Sequence, residues 1–125
     1  MYLENRLQIL RVADGLTWIA DYNATTVNAV WFALEMLPAP IYLISKHGGP
    51  EIDHLLKEKV RIVFDLSQSL NWFDKAPLIV KSLNPRAAAR NCFRMRKEGV
   101  TVLFSPGAYV TPEEILQFQQ GAFYY

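Results

Sequence analysis

The sequence predicts an α/β fold, a three-layer sandwich on a mostly parallel sheet that an N-terminal β-hairpin opens. Three observations carry that expectation. An Asp-Gly pair, Asp14-Gly15, separates two apolar runs near the start of the chain. Beyond it, short strand-like runs alternate with stretches of helical period, the order of a parallel sheet covered by helices. Proline and glycine fall between these segments as punctuation, without repeats, low-complexity tracts or an internal linker.

Taken in order, Arg6 to Val12 alternates as a strand, and Ala13-Asp14-Gly15 turns it into a second strand, Leu16 to Ala20. From Val27, apolar residues recur at Val30, Trp31, Leu34 and Leu37, one stripe of a helix that Thr25 or Thr26 caps and Pro38-Ala39-Pro40 stops. Ile41 to Ile44 is a short apolar run suited to a strand covered on both faces. Ser45 to Glu51 then leads to a helix carrying Ile52, Leu55 and Leu56, and Arg61 to Phe64 reads as another buried strand. Leu70 to Lys75 is ambiguous, and Pro77 to Val80 is a further strand. Asn84-Pro85 opens a helix in the favoured order of cap and first-turn proline, and Gly99 is expected to end it. Val100 to Phe104 is the last strand, Ser105 to Tyr109 its loop, and Thr111-Pro112-Glu113-Glu114 a capping box for a closing helix.

At 125 residues, 51% hydrophobic and 20% charged, the chain is read as one folded domain spanning residues 1–125. A net charge of +1 argues against nucleic acid or an anionic membrane as the main partner. The single cysteine, Cys92, excludes an internal disulfide framework and fits a reducing compartment. No apolar run approaches the roughly 18 to 20 residues of a membrane span, and the start lacks a signal-peptide pattern, so a cytoplasmic location is expected.

Ligands of parallel sheets sit beyond the C-terminal strand ends, where three loops are predicted to share a rim: Asp21 to Thr26, Ser45 to Gly49 and Ser105 to Tyr109. The polar knot Asp21-Tyr22-Asn23-Ala24-Thr25-Thr26 either closes its strand-to-helix turn by side-chain caps or holds a ligand. Neither a P-loop nor a Gly-x-Gly-x-x-Gly fingerprint occurs. His47-Gly48-Gly49-Pro50 reads as a turn, and His47 and His54 lack the spacing of a zinc site, so no metal is assigned. Ser45 and Ser105 have no base at a motif spacing and read as strand ends, so no catalytic residue is assigned. Arg86, Arg90, Arg94 and Lys97 recur along one helix and read as a solvated face in preference to a phosphate stripe. The aromatic end, Phe123-Tyr124-Tyr125, either buries a tail or faces a partner.

The stretch "LENRLQILRVADGLTWIADYNATTVNAVWFAL" resembles the start of the C-terminal domain of the Mur ligases, most closely the UDP-N-acetylmuramoylalanine–D-glutamate ligase family. There the pattern is Leu-Pro-His-Arg, a hairpin, then Asn-Asp-Ser-Lys-Ala-Thr-Asn and a helix. Leu3 and Arg6 match the first motif, and Asp21, Ala24 and Thr25 the second. "VTVLFSPGAYVTPEEILQFQQGAF" is similar to the family's Val-Leu-Leu-Ser-Pro-Ala and later Phe-Glu-x-Arg-Gly, through Ser105, Pro106, Phe118 and Gly121, and "PIYLISKHGGPEIDHL" resembles its middle strand and Gly-rich loop. The likeness covers nearly the whole chain and implies a Rossmann-like domain.

The resemblance implies ATP-dependent amide formation, in which a central domain with a P-loop and magnesium phosphorylates a carboxylate and an amino-acid amine displaces the phosphate. Arg6 and Asp21 would be the nucleotide-binding residues, facing the phosphates and the ribose. Asn23, Thr25 and Ser105 would lie at the substrate. The partners implied are the central ATPase domain, the UDP-muramoyl substrate and the amino acid. ATP and magnesium would belong to the parent ligase, with neither bound tightly by this chain, which is expected to be inactive alone. The sequence departs from the pattern at Asn23, where the family has a lysine that meets the incoming glutamate, at Val110, near its second serine, and at Gln120, where an arginine precedes Gly121; Ser45-Lys46 occupy the region of a Gly-Gly. These departures leave open an alternative, a non-catalytic Mur-ligase-like module serving protein association.

Overall fold

A computed structural model describes residues 6–68 and 70–123; Leu3 and the Tyr124-Tyr125 end lie outside them. The strands are β1 (Gln8–Ala13), β2 (Leu16–Ala20), β3 (Ile41–Ser45), β4 (Val60–Asp65), β5 (Ile79–Lys81) and β6 (Val100–Phe104). The helices are α1 (Val27–Met36), α2 (Asp53–Glu58), α3 (Pro85–Arg94) and α4 (Pro112–Phe123), with a 3-10 turn over Pro50–Ile52. The strands form one sheet in the order β1-β2-β6-β3-β4-β5, antiparallel between β1 and β2 and parallel at the other pairings.

The hairpin forms because Asp14 and Gly15 both take positive φ, 58° and 79°, giving a two-residue turn whose twist matches that of the strands. Strand side chains then alternate between two cores. On one face Trp18, Tyr42, Phe64 and Phe104 pack with Ala88, Ala89 and Cys92 of α3 and Phe118 of α4. On the other, Ile19, Leu43, Val63 and Leu103 pack with Val30, Ala33 and Leu34 of α1 and Leu55 and Leu56 of α2. Helices therefore cover both faces, the expected three layers. The central strands β3 and β6 are buried at every position, and each large side chain there contributes roughly 1.5–3 kcal/mol by leaving water.

Helix starts follow their caps. The Thr26 hydroxyl accepts from the Ala29 N–H at 3.2 Å, so Thr26 and not Thr25 closes α1. Asn84 accepts from the Ala87 N–H at 2.9 Å, and Thr111 and Glu114 exchange reciprocal bonds of 3.1 and 2.9 Å at α4. Two expectations about helices need correction. Trp31 is 39% exposed, so the buried stripe of α1 is Val30, Ala33 and Leu34. Helix α3 ends at Arg94, short of Gly99, because the Tyr42 hydroxyl takes the Met95 carbonyl at 2.6 Å while Gly99, with φ +84°, turns the chain into β6. The ambiguous Leu70–Lys75 stretch forms no strand or helix among its described residues, yet Phe73 within it is fully buried. Among the described residues no helix is long and apolar enough to cross a membrane.

Gly121 sets how closely α4 approaches α3. A methyl group there would stand 2.5 Å from the Ala89 Cβ and 3.1 Å from the Arg86 carbonyl oxygen. Replacing Gly121 with Val is expected to destabilise the domain by about 1–3 kcal/mol, because two packed helices must separate. Urea unfolding checks this; an unchanged midpoint would show that the two helices can part without cost.

Candidate functional site

Antiparallel pairing places the start of β1 beside the end of β2: Gln8 opposes Ala20, so Arg6 and Asp21 emerge at the same corner of the sheet. Leu7, in the left-handed region at φ 52°, bends the chain between Arg6 and β1. The Arg6 Nε–H donates to Asp21 Oδ1 at 2.5 Å, and its Nη2 donates to Oδ2 at 3.0 Å, a bidentate pair. The same Nη2 donates to the Ala29 carbonyl at 3.1 Å, and the guanidinium carbon lies 5.3 Å from the Phe32 ring centre. The Ser105 hydroxyl, just beyond β6, donates to Asp21 Oδ2 at 3.1 Å. Three of the residues singled out from the sequence thus form one cluster, with Asp21 fully enclosed and the Arg6 side chain 20% exposed.

The three rim loops are tied together by backbone. The Gly107 N–H donates to the Ala24 carbonyl at 2.8 Å, and the Lys46 and His47 N–H groups share the Pro106 carbonyl at 2.9 and 3.1 Å. The buried Ser45 hydroxyl donates to the same carbonyl at 3.1 Å. Gly107, at φ +70°, lies so close to the His47 carbonyl oxygen that a Cβ would collide with it. These contacts join the ends of β2, β6 and β3 into a single lip.

Asn23 and Thr25, by contrast, project from the exposed outer turn of the first loop. Val110 is 7% exposed and packs in a core, and Gln120 accepts a hydrogen bond from the Arg86 guanidinium. Both departures from the family pattern are therefore absorbed by packing and by the α3–α4 contact. Sequence reading missed two ion pairs. Lys46 Nζ meets Glu114 Oε1 at 3.1 Å and donates to the Tyr109 carbonyl at 2.9 Å, linking the second and third loops to α4. Lys81 Nζ meets the buried Asp65 at 2.6 Å, while the Ser67 N–H and hydroxyl donate to the other Asp65 oxygen. The signal for the second was an acid at the end of an apolar strand; that for the first required knowing the loops' relative positions.

Burial acts to raise the Glu114 pKa, but the Thr111 N–H and the Lys46 ammonium outweigh it and hold the carboxyl below its ordinary value. Burial pushes the Tyr22 phenol up to about 12, with the Gln119 side chain opposing it.

The donor set bears unequally on the groups the resemblance implies. The Arg6 side chain is 20% exposed, and a guanidinium is suited to a phosphate oxygen. Asp21 is fully buried with both oxygens engaged within the protein, so a ribose hydroxyl reaches it only if the enclosure opens. Among the described residues no three His, Cys, Asp or Glu side chains gather.

Comparison with known proteins bears on the family and the fold. The chain is 34% identical over 116 residues to UDP-N-acetylmuramoylalanine–D-glutamate ligase of Chlorobium chlorochromatii, covering 83% of this chain and 24% of that one. The same ligase of Chloroherpeton thalassium is 32% identical over 115 residues, and that of Bacteroides fragilis 31% over 115 residues, covering 24% and 26% of those proteins. The chain is a homologue of the Mur ligase C-terminal domain. It spans about a quarter of the length of these curated relatives. A crystal structure described as a domain of a UDP-N-acetylmuramate:L-alanyl-gamma-D-glutamyl-meso-diaminopimelate ligase from Haemophilus ducreyi shares the fold. It has a TM-score of 0.60 at 15% identity, over 82% of this chain and 88% of that one. No protein-family model matches the chain.

In this Mur-type domain, Ser105→Ala removes a buried donor to Asp21 and is expected to cost about 1.5–3 kcal/mol in urea unfolding. A cost near zero would show that Arg6 alone satisfies the carboxylate. Because the Glu114 pKa is lowered on folding, its contribution is complete above the unfolded glutamate value and is lost as pH falls through the folded one. In a carboxyl NMR titration, Lys46→Met should move the Glu114 midpoint upward; an unmoved midpoint would mean the ammonium does not act on it.

Proposed function

We propose that the chain serves as the C-terminal domain of an ATP-dependent, amide-forming UDP-N-acetylmuramoyl-peptide ligase of peptidoglycan synthesis, working in the cytoplasm. The observation that carries this reading is the meeting of Arg6, Asp21 and Ser105 at the lip beyond β2 and β6, at positions the family pattern marks. In the parent enzyme ATP and magnesium, held mainly by the central domain, supply the phosphorylation that activates the acceptor carboxylate. This domain closes over them. Arg6 presents its guanidinium to phosphate oxygens, and Asp21 fixes its direction, so an oriented cation meets developing charge. A direct Asp21 contact to ribose follows if closure loosens the Ser105 bond. Thr25 stands next to the N-terminus of α1, whose free N–H groups favour a carboxylate, and Asn23 offers an amide in place of the family's lysine. The neutral Asn23 supports an amino acid without a second carboxylate.

A second reading, a non-catalytic module serving protein association, draws support from the complete enclosure of Asp21 and the burial of Val110. The two separate experimentally. In the ligase containing this domain, Arg6→Ala should raise the KM for ATP by about tenfold, the loss of one charge-assisted phosphate contact. An unchanged KM would favour the module. Calorimetry of the isolated chain with a non-hydrolysable ATP analogue should show weak binding or none, and submicromolar affinity would contradict the assignment of the phosphate grip to another domain.

A further inference from the structure

Helix α3 carries Arg86, Arg90 and Arg94 at successive fourth positions, so their side chains leave one face. With Asn84, Ala87 and Asn91 they line a surface hollow of about 230 Å³. A solvated stripe of arginines on a near-neutral protein would be expected to meet neighbouring carboxylates. None of these three does among the described residues, where the ion pairs are Arg6–Asp21, Lys46–Glu114 and Lys81–Asp65. Arg86 is anchored by its hydrogen bond to Gln120, so one guanidinium is held in place without being neutralised. Asn84 spends its carbonyl oxygen on the Ala87 N–H, which leaves its amide N–H₂ as a further donor at the hollow.

We propose that this hollow is a binding site for a small oligophosphate anion. Three uncompensated guanidinia repel one another, and an anion seated among them relieves that repulsion while accepting bidentate hydrogen bonds. A hollow of about 230 Å³ among three guanidinia suits a compact tetrahedral oxyanion chain better than an extended acidic peptide, which needs a longer track. The site is carried by α3 and its cap Asn84, with Gln120 of α4 holding Arg86, and is separate from the lip built by β2, β6 and β3, so it stands independently of the ligase reading.

The test uses the whole chain at low salt, followed by amide and arginine side-chain NMR, with inorganic tripolyphosphate, ATP and a hexaglutamate peptide as separate probes. Tripolyphosphate should shift the resonances of residues 84–94, and Arg90→Ala with Arg94→Ala should weaken its binding by about tenfold or more. Both positions are exposed, so circular dichroism should show the fold intact. Removing two exposed charges elsewhere, Lys57→Ala with Lys75→Ala, should alter binding by no more than about twofold. ATP shifting the same resonances supports the site with a nucleotide as source, and tripolyphosphate alone supports it with an inorganic one. Absence of shifts in α3, equal weakening by the lysine variant, or hexaglutamate binding there as tightly as tripolyphosphate would overturn it.

Discussion

The Asp21 carboxylate is the constraint around which the lip of the sheet is organised. It is fully buried at the end of β2, where an unpaired charge would be prohibitively costly, and two separate pieces of chain are drawn in to compensate it while a third steadies the arginine. Arg6 arrives from before β1, Ser105 from beyond β6, and the Ala29 carbonyl in α1 receives a third Arg6 hydrogen bond. Removing one partner of such a pair typically costs about 3–5 kcal/mol; the residual exposure of Arg6 places this one toward the lower end. The first strand, the last strand and the first helix therefore share one electrostatic requirement.

The same logic extends along the sheet. Each parallel strand ends in, or just before, a buried polar residue: Asp21, Ser105, Ser45, Asp65 and Ser82. Each is satisfied locally, by Arg6, by the Pro106 carbonyl, by Lys81 and Ser67, or by the Asn91 amide and the Val80 carbonyl. The site residues that reach the surface of this rim are the partly exposed Arg6 and the exposed Asn23 and Thr25. On the proposed ligase reading, this chain presents a pre-set surface to the nucleotide held elsewhere, and specificity for the added amino acid rests on exposed loop residues, where sequence can change without disturbing the core.

How much of this was legible in the sequence depends on the range of the interaction. The Asp-Gly hairpin, the Asn84-Pro85 start and the Thr111–Glu114 box are local, and strands β2 and β6 fall at their expected bounds. The end of α3 was misplaced because a hydroxyl 53 residues away, on Tyr42, takes a terminal carbonyl that local rules would leave to a glycine cap. Trp31 was drawn to the core by its periodicity, but lies on the margin of the stripe. At the site, Arg6 and Asp21 were matched by motif order, whereas the Ser105 bond and the Lys46–Glu114 pair exist only because the sheet order sets non-consecutive strands side by side, and the Lys81–Asp65 pair depends on the register of the consecutive strands β4 and β5. Asp21's enclosure could not be read from any motif, since it depends on how tightly three loops close over it.

A double-mutant cycle between Arg6 and Asp21 tests the central claim most directly. Urea unfolding of the protein, of Arg6→Ala, of Asp21→Asn and of the double variant isolates the energy the two side chains share. The account predicts a coupling of about 1–3 kcal/mol, with the double variant less damaged than the sum of the single ones. Effects that add to within about 0.5 kcal/mol would contradict it, and would mean that the lip is held by its backbone alone.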